Sequence, residues 1–528
     1  MLLEFVSLSA AIIVPDAKIA AVVWNLSRFL VSLQRFLELK FSKYTMNMKR
    51  FAGWCCVLAA ALFISCGKDD VTGSLAFDEP AIFFSEGDTE PVTVHFTASN
   101  LDTFSISSKP TGWENIVVNS AAMTVTITPP STFDEENVKT GTVTLSGSGR
   151  DGAAGSASIF VGVVARQDLS ALSPQRANSY IVSQKETNYL LDVMHRPDDA
   201  SLATASVGVV WQSVSSLIQY VTLDNGKASF YVGADSDDET TIKSGNAVIG
   251  AYDASGALLW SWHIWVTSYD PSAAAGQRLF NGYTMMDRNL GALASGNEST
   301  DDIRSSYGLY YQWGRKDPFI GPSTYNFANG TAATIYNGSN ASLSAAPVET
   351  SSSNGTVDYA RLNPQIFLKG VETSEYDWLW SHDAALWTIP GTPKSLLYDP
   401  CPAGWRVAPA AAFAGLTPEA ASLEWANTKY SVTLAKDGVS SLFMGAGQRT
   451  YRDGKFQNFY FTDADPKSTR ADEAQPWIGL YWTADAATEA NLSAAVYFHY
   501  GSAEAIEAPY DLRRAGGLPV RCVKDVKE

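Results

Sequence analysis

Beyond residue 66 the chain holds only two cysteines, Cys401 and Cys522, and no other feature restricts the fold as strongly. They sit in the strings Asp399-Pro400-Cys401-Pro402-Ala403-Gly404-Trp405-Arg406-Val407 and Pro519-Val520-Arg521-Cys522-Val523. In an oxidising compartment an isolated even pair is expected to form a disulfide rather than a metal or redox site. The bond would span a separation of 121 residues. The chain-entropy account puts its effect at roughly 4 to 5 kcal/mol, comparable with the net stability of a domain. Everything between the two cysteines would then be one domain, provided that the protein is exported.

The N-terminal 65 residues bear on that condition. Met48-Lys49-Arg50 supplies a basic start, Phe51 to Ile64 is an uncharged and almost wholly apolar run, and Phe63-Ile64-Ser65-Cys66 closes it. A run this short reads as a secretory leader rather than a membrane span. A small residue before cysteine at its end resembles the lipobox of bacterial lipoproteins. That resemblance implies cleavage before Cys66 and lipid attachment there; an ordinary signal peptide with an incidental Cys66 is the alternative. Residues 1–47 are read as a non-native N-terminal extension, residues 48–65 as the signal peptide and residues 66–74 as a tether. An amphipathic N-terminal segment is the other reading of 1–47. Gly67-Lys68-Asp69-Asp70 resembles the acidic signals that carry lipoproteins to the outer face of the outer membrane, so the expected location is lipid-anchored and facing the cell exterior.

The formal net charge is −17, and removing residues 1–65, which carry +4, leaves −21. A balance that acidic argues against a nucleic-acid binder, which needs a basic surface. The length remaining after residue 65 suggests about three domains.

Residues 75–166 read as a β-sandwich. Val92 to Phe96 and Met123 to Ile127 alternate apolar and polar residues, and Gly141 to Leu145 and Ser158 to Val161 repeat the pattern, as half-buried strands do. Gly112-Trp113, Pro129-Pro130-Ser131-Thr132 and the Gly-Thr-Val-Thr-Leu strand resemble BACON-type immunoglobulin-like modules. Residues 167–275 read as a second β-sandwich, opening with Ser173-Pro174 and Asn178-Ser179-Tyr180-Ile181-Val182. Asp224-Asn225-Gly226-Lys227 is a strong hairpin signal because Asn and Gly accept positive φ, and Asp253-Ala254-Ser255-Gly256 makes a similar turn. In the strand from Leu258 to Val266, Trp260, Trp262 and Ile264 share a core face. His263 and Trp265 fall on the opposite face, where packing on the next domain is expected ahead of a sugar platform. The Asn-Ser-Tyr-Ile-Val and Trp-Ser-Trp-His-Ile-Trp strings resemble modules of fimbrillin-related surface proteins.

Residues 276–528 form the third unit, with short strands, long loops and a polar segment from Gly321 to Gly355 that is expected to bury little. Thr417-Pro418-Glu419 predicts a helix to Trp425 with threonine as its N-cap, and Arg452-Asp453-Gly454-Lys455 predicts a hairpin tip. Cys-Pro-Ala-Gly-Trp-Arg-Val, Gly445-Ala446-Gly447-Gln448-Arg449, Gly479-Leu480-Tyr481-Trp482-Thr483 and the terminal Val-Arg-Cys-Val resemble the Fibrobacter succinogenes major paralogous domain. Met286 to Ala292 and Gly308 to Gly314 resemble the opening of such domains. The likeness covers roughly Leu279 to Asp525 and implies a C-type-lectin-like or sulfatase-modifying-factor-like α+β fold. The expected class is therefore mostly β, two Ig-like sandwich modules followed by an α+β lectin-like domain.

No catalytic constellation emerges. The five histidines, at 95, 195, 263, 382 and 499, lack metal-ligand spacing, and there is no Gly-x-Ser-x-Gly elbow or phosphate-cradling loop. The oxidase relatives in the resembled family use reactive cysteines, whereas the only candidates here are the pair assigned to the disulfide. Asp235 to Glu239 and Asn297 to Asp302 are acidic enough to raise calcium, yet neither carries an EF-hand pattern, and solvated loops are the expected reading. No metal or cofactor is implied. Flat rings stack on sugars, so the ligand-binding candidates are Trp378, Trp380, Tyr310, Tyr311 and Trp313, with the first two favoured.

The sequence therefore points to a surface lipoprotein that binds a glycan or a host or bacterial surface protein, with fimbrial subunits as further candidate partners. A structural envelope or pilus-assembly component is the alternative, and a polysaccharide-degrading enzyme the remote one.

Overall fold

The computed structural model describes residues 72–134, 138–172, 176–324, 334–387, 394–420, 422–423, 429–457, 459, 477–499 and 506–525. The leader, the lipid-attachment candidate Cys66, most of the tether, and Ser173-Pro174 lie outside them. Thr72–Glu528 is one compact unit, and its architecture is mostly β.

The first sandwich packs the sheet of Ser74–Phe77, Val92–Ser99, Thr124–Ile127 and Ile116–Asn119 on that of Ala81–Phe84, Ala154–Val163, Thr140–Ser148 and Thr103–Ser108. Alternation sends Val94, Phe96, Val125, Val143, Leu145, Ile159 and Val161 inward, as the pleat requires. Trp113 is fully buried among them and donates its indole N–H to Val138 O at 2.9 Å. The strand Ala165–Asp168 leaves this sandwich and pairs with Thr187–Asp192 of the next one, so the change of sandwich comes at Ala165. At the join Phe160 stacks on Tyr220 at 4.5 Å and Phe83 on Tyr231 at 5.9 Å. A bulge between Gln219 and Thr222 aims Tyr220, itself at φ 54°, toward that stack.

In the second sandwich the Asp224–Lys227 hairpin turns through Asn225 and Gly226 at φ 48° and 79°. The turn before Leu258–Val266 closes with an Asp253 N–H bond to Ala257 O. Trp260, Trp262, Ile264 and Val266 enter the core of this module. Its larger sheet does not end within the module. After Ser206–Gln212 come Ile335–Tyr336 and Ser342–Leu343, supplied by the third unit. The described part of the Gly321–Gly355 segment stays largely half-buried or exposed, yet one of its strand pairs extends the neighbouring sheet. Ile335 is 9 % exposed, and Gln212, fully buried, donates to Asn337 O and Asn340 Oδ1 while accepting from the Leu217 and Ile218 amides. Hydrogen bonds from this strand side chain to polar loop acceptors thus do what apolar burial does elsewhere.

The seam with the third unit is extensive. Trp211, Val248 and Trp265 share one core cluster with Leu290, Trp313 and Trp378. Fully buried His263 lies between Ser179 Oγ, 3.0 Å from Nδ1, and Asn246 Oδ1, 2.9 Å from Nε2. Because Asn246 Nδ2 donates to Gly291 O, its Oδ1 accepts and the imidazole donates from Nε2. Packing on the next domain is thus the role of the second strand face.

In the third unit the strands Gln277–Phe280, Tyr283–Met286, Cys522–Lys524 and Trp405–Val407 form one sheet. Register pairs Val407 with Cys522, and the Cys401–Cys522 disulfide is formed, with Cα atoms 6.1 Å apart. Two described helices, Thr300–Ser305 and Val357–Leu362, are short. The helix expected from Thr417 starts later: Thr417–Pro418 is an edge strand on Ser431–Lys436. An edge position tolerates proline, which has no N–H to give to the ladder, and the following helical residues begin at Ala420. Arg449 pairs with Phe456 around the expected tip at Gly454.

Candidate functional site

The loop from Glu372 to His382 carries the favoured candidates and an unusual backbone. A 3-10 turn, Glu372–Ser374, ends in two successive left-handed residues, Glu375 at φ 51° and Tyr376 at φ 62°, and His382 adds a third at φ 55°. For residues with a Cβ this conformation costs about 1 to 2 kcal/mol each. The surroundings hold it in place. Gly370 approaches so closely that a Cβ there would lie 2.5 Å from Tyr376 Cα. Glu375 O accepts from Asn491 Nδ2 at 3.1 Å and from an Arg513 guanidinium nitrogen at 3.2 Å, and Tyr376 O accepts from the Ala515 amide.

Asp377 anchors the loop from inside. Its carboxylate, with no exposure, accepts from the Leu379 amide at 3.0 Å, lies 3.1 Å from His382 Nδ1 and 3.7 Å from the Arg514 guanidinium. Burial raises its pKa, against the opposing pull of the Leu379 amide, Arg514 and His382. Arg514 is itself buried over the Trp313 ring and donates to Leu492 O, Ser493 Oγ and Asp383 O.

Four of the five aromatic candidates are interior residues. Trp378 is 1 % exposed and donates Nε1–H to Trp313 O at 2.8 Å; Trp313, fully buried, donates to Thr483 O at 3.0 Å. Tyr310 and Tyr311 have no exposure, and the Tyr310 hydroxyl donates to Ala446 O. A core made of loops presents main-chain carbonyls that need donors, and indole and phenol rings supply bulk and a donor together. Trp380, whose amide donates to Gly355 O, remains partly exposed.

What the loop does present is Tyr376. Its ring meets Tyr451 edge-on at 5.2 Å, and two guanidiniums lie over it, Arg452 at 5.2 Å and Arg513 at 6.0 Å. Arg452 also covers Tyr451 at 5.5 Å. Sequence reading missed Tyr451, Arg452 and Arg513 because nothing in one sequence brings the hairpin tip and the last long strand to residue 376. The adjacent aromatic and basic residues at the Tyr451-Arg452 tip were the available signal.

The acidic stretches have local duties. Ser299 and Asp302 form a capping box on Thr300–Ser305. Asp235 accepts from the Asp237 amide, and Asp238 from Thr240. Among the described residues no group of three His, Cys, Asp or Glu is placed to hold a metal.

A cleft also lies on the seam, lined by Trp260, Lys316, Asp317, Arg361, Trp378 and Tyr398. Its cavity volume of about 30 Å³ admits only a few water molecules. The Lys316 ammonium is engaged by Asp317 at 2.6 Å and by Ser261, so this cleft ties two modules together.

No family model and no curated protein matches the chain. Among solved structures, the cadherin domains of Protocadherin Gamma B7 align over 37 % of this chain and 50 % of theirs, at 11 % identity and a TM-score of 0.14. The D00-D0 domain of Intimin aligns over 36 % and 96 %, at 10 % identity and 0.15, and Drosophila N-cadherin EC1-3 over 38 % and 67 %, at 13 % and 0.15. The chain thus spans half the length of that protocadherin structure. Superpositions this loose carry no functional argument, and the mostly β class rests on the strands themselves.

Proposed function

We propose that this protein is a lipid-anchored surface protein that acts by binding carbohydrate through its third unit, without catalysis. Cys66 is the attachment point in this reading, the outer membrane its location, and the sandwiches hold the third unit away from the membrane. One observation carries the reading. A strained loop, bolted by Gly370, Asn491, Arg513 and Asp377, holds Tyr376 and the partly exposed Trp380 at the surface. Backbone strain of this kind persists where a function requires the geometry, and rigid aromatic rings lose little entropy when a sugar stacks on them.

A glycan array probed with the chain from Thr72 onward, with its disulfide intact, tests the reading. Binding is expected to fall in Trp380→Ala and Tyr376→Ala proteins whose unfolding midpoints are unchanged. A blank array sinks it.

The assembly-component alternative draws support from the strand Ser74–Phe77, which sits at a sheet edge just after the tether and, among the described residues, pairs only with Val92–Ser99. An edge strand that can be exchanged for a partner's strand is one recurring mode of subunit linkage. Deleting residues 72–79 and finding that the protein still folds, and captures a synthetic Ser74–Phe77 strand, would favour it.

A further inference from the structure

Most of the described arginines of this acidic chain are spoken for. Arg166, Arg176, Arg196, Arg288, Arg304 and Arg361 each face a carboxylate. Arg315, Arg449 and Arg521 are buried and spend their donors largely on main-chain carbonyls. Arg278 is tied to the carbonyls of Ser440, Ala275 and Gln277. Arg452 and Arg513 differ. Neither has a carboxylate partner among the described residues. Among the described residues the Arg452 side chain donates one hydrogen bond, to the Tyr451 hydroxyl at 3.2 Å, and the Arg513 side chain one, to Glu375 O at 3.2 Å. Both guanidiniums lie over the Tyr376 ring, the residue whose backbone the fold strains into place.

In a chain of net charge −17, these two guanidiniums over one ring keep their charge available to an anion from outside the described residues. A stacked guanidinium also keeps its fork of donors free while its side chain is already ordered, so little entropy remains to be lost on meeting an anion. Carboxylate and sulfate oxygens match that fork, and a bond to an ionised group is the strong kind. From this geometry we infer that Arg452 and Arg513, held on the Tyr376–Tyr451 pair, recognise the carboxylate or sulfate of an acidic sugar. The inference rests on the carbohydrate reading above and names its ligand class. The tyrosine pair orders the arginines, the arginines hold the anion, and the sugar ring meets the rest of the loop surface.

The test is a binding titration of the chain from Thr72 with hexagalacturonate against its methyl ester, and with chondroitin sulfate oligosaccharides against their desulfated form. Each pair keeps the sugar rings and changes the charge. The acid or sulfate member is expected to bind at least tenfold more tightly and to weaken as salt rises; which pair shows the difference tells carboxylate from sulfate. Arg452→Ala and Arg513→Ala are each expected to lose about tenfold or more, the worth of one charge-assisted contact, while Arg452→Lys recovers part of it. Arg452 lies on an exposed turn, so its variant reports binding without loss of fold, and a thermal melt checks the Arg513 variant. Equal binding of the two members in both pairs, or an undiminished Arg452→Ala/Arg513→Ala double variant, overturns the anion assignment and leaves the carbohydrate reading standing. Absence of binding to every probe overturns both.

Discussion

Trp378 and Trp380 stand two positions apart and have opposite environments. Trp378 fills the seam and satisfies Trp313 O, so Trp378→Ala removes a large buried ring and leaves a carbonyl without its donor. It is expected to cost about 3 to 5 kcal/mol in urea unfolding, whereas Trp380→Ala shifts the midpoint little. At the same scale, burial lowers the His263 pKa to about 3, so the folded state holds neutral imidazole and the unfolded chain takes up the proton first. That contribution is fully present above the unfolded value near 6.5 and is lost as pH falls toward 3, at up to about 1.4 kcal/mol per pH unit. Unfolding of wild type and His263→Gln at pH 7.5, 6 and 5 checks it: the difference between the two is expected to shrink as pH falls.

Among elements, the Glu372–His382 loop and the hairpin Ile335–Leu343 show how sequence signals are outvoted. Gly370→Ala places a methyl group 2.5 Å from Tyr376 Cα, against backbone that cannot swing aside as a side chain would. The loop is expected to leave its left-handed turn, and tyrosine fluorescence and sugar binding to change together. Gln212→Leu would strip the hairpin of two donated bonds and the Leu217 and Ile218 amides of their acceptor. A loss of about 2 to 4 kcal/mol is expected, with faster proteolysis confined at first to the Ile335–Leu343 region. Thr417 and Pro418 carry good helix-start chemistry, yet the free edge of Ser431–Lys436 recruits them as a strand. A cap is worth about 1 kcal/mol, which a new pair of ladder bonds and buried neighbours can match.

For the whole molecule, the Cys401–Cys522 bond and the seam set cooperativity. A Cys401→Ser/Cys522→Ser protein is expected to lose roughly 4 to 5 kcal/mol, since the bond closes a 121-residue separation. Asn178 Nδ2 reaches Leu396, Leu397 and Asp399 carbonyls just before Cys401, which couples the second sandwich to the clasp. The second and third units should therefore melt in one calorimetric transition. Two resolved transitions separated by disulfide loss alone would count against that coupling.

The sequence by itself determined the β strands, the Asn225-Gly226 and Gly454 turns, the cysteine pair and the inward face of Leu258–Val266. These depend on alternation, on φ preferences and on count, all of which are local or arithmetic. Only the tertiary structure decided that Tyr310, Tyr311, Trp313 and Trp378 are interior, that a polar hairpin extends a neighbour's sheet, and that Tyr451, Arg452 and Arg513 meet on Tyr376. An aromatic ring serves a core and a binding surface with the same chemistry, so composition cannot separate them. The distinction lies in which carbonyls stand nearby to accept its donor, and distant segments of the chain supply those.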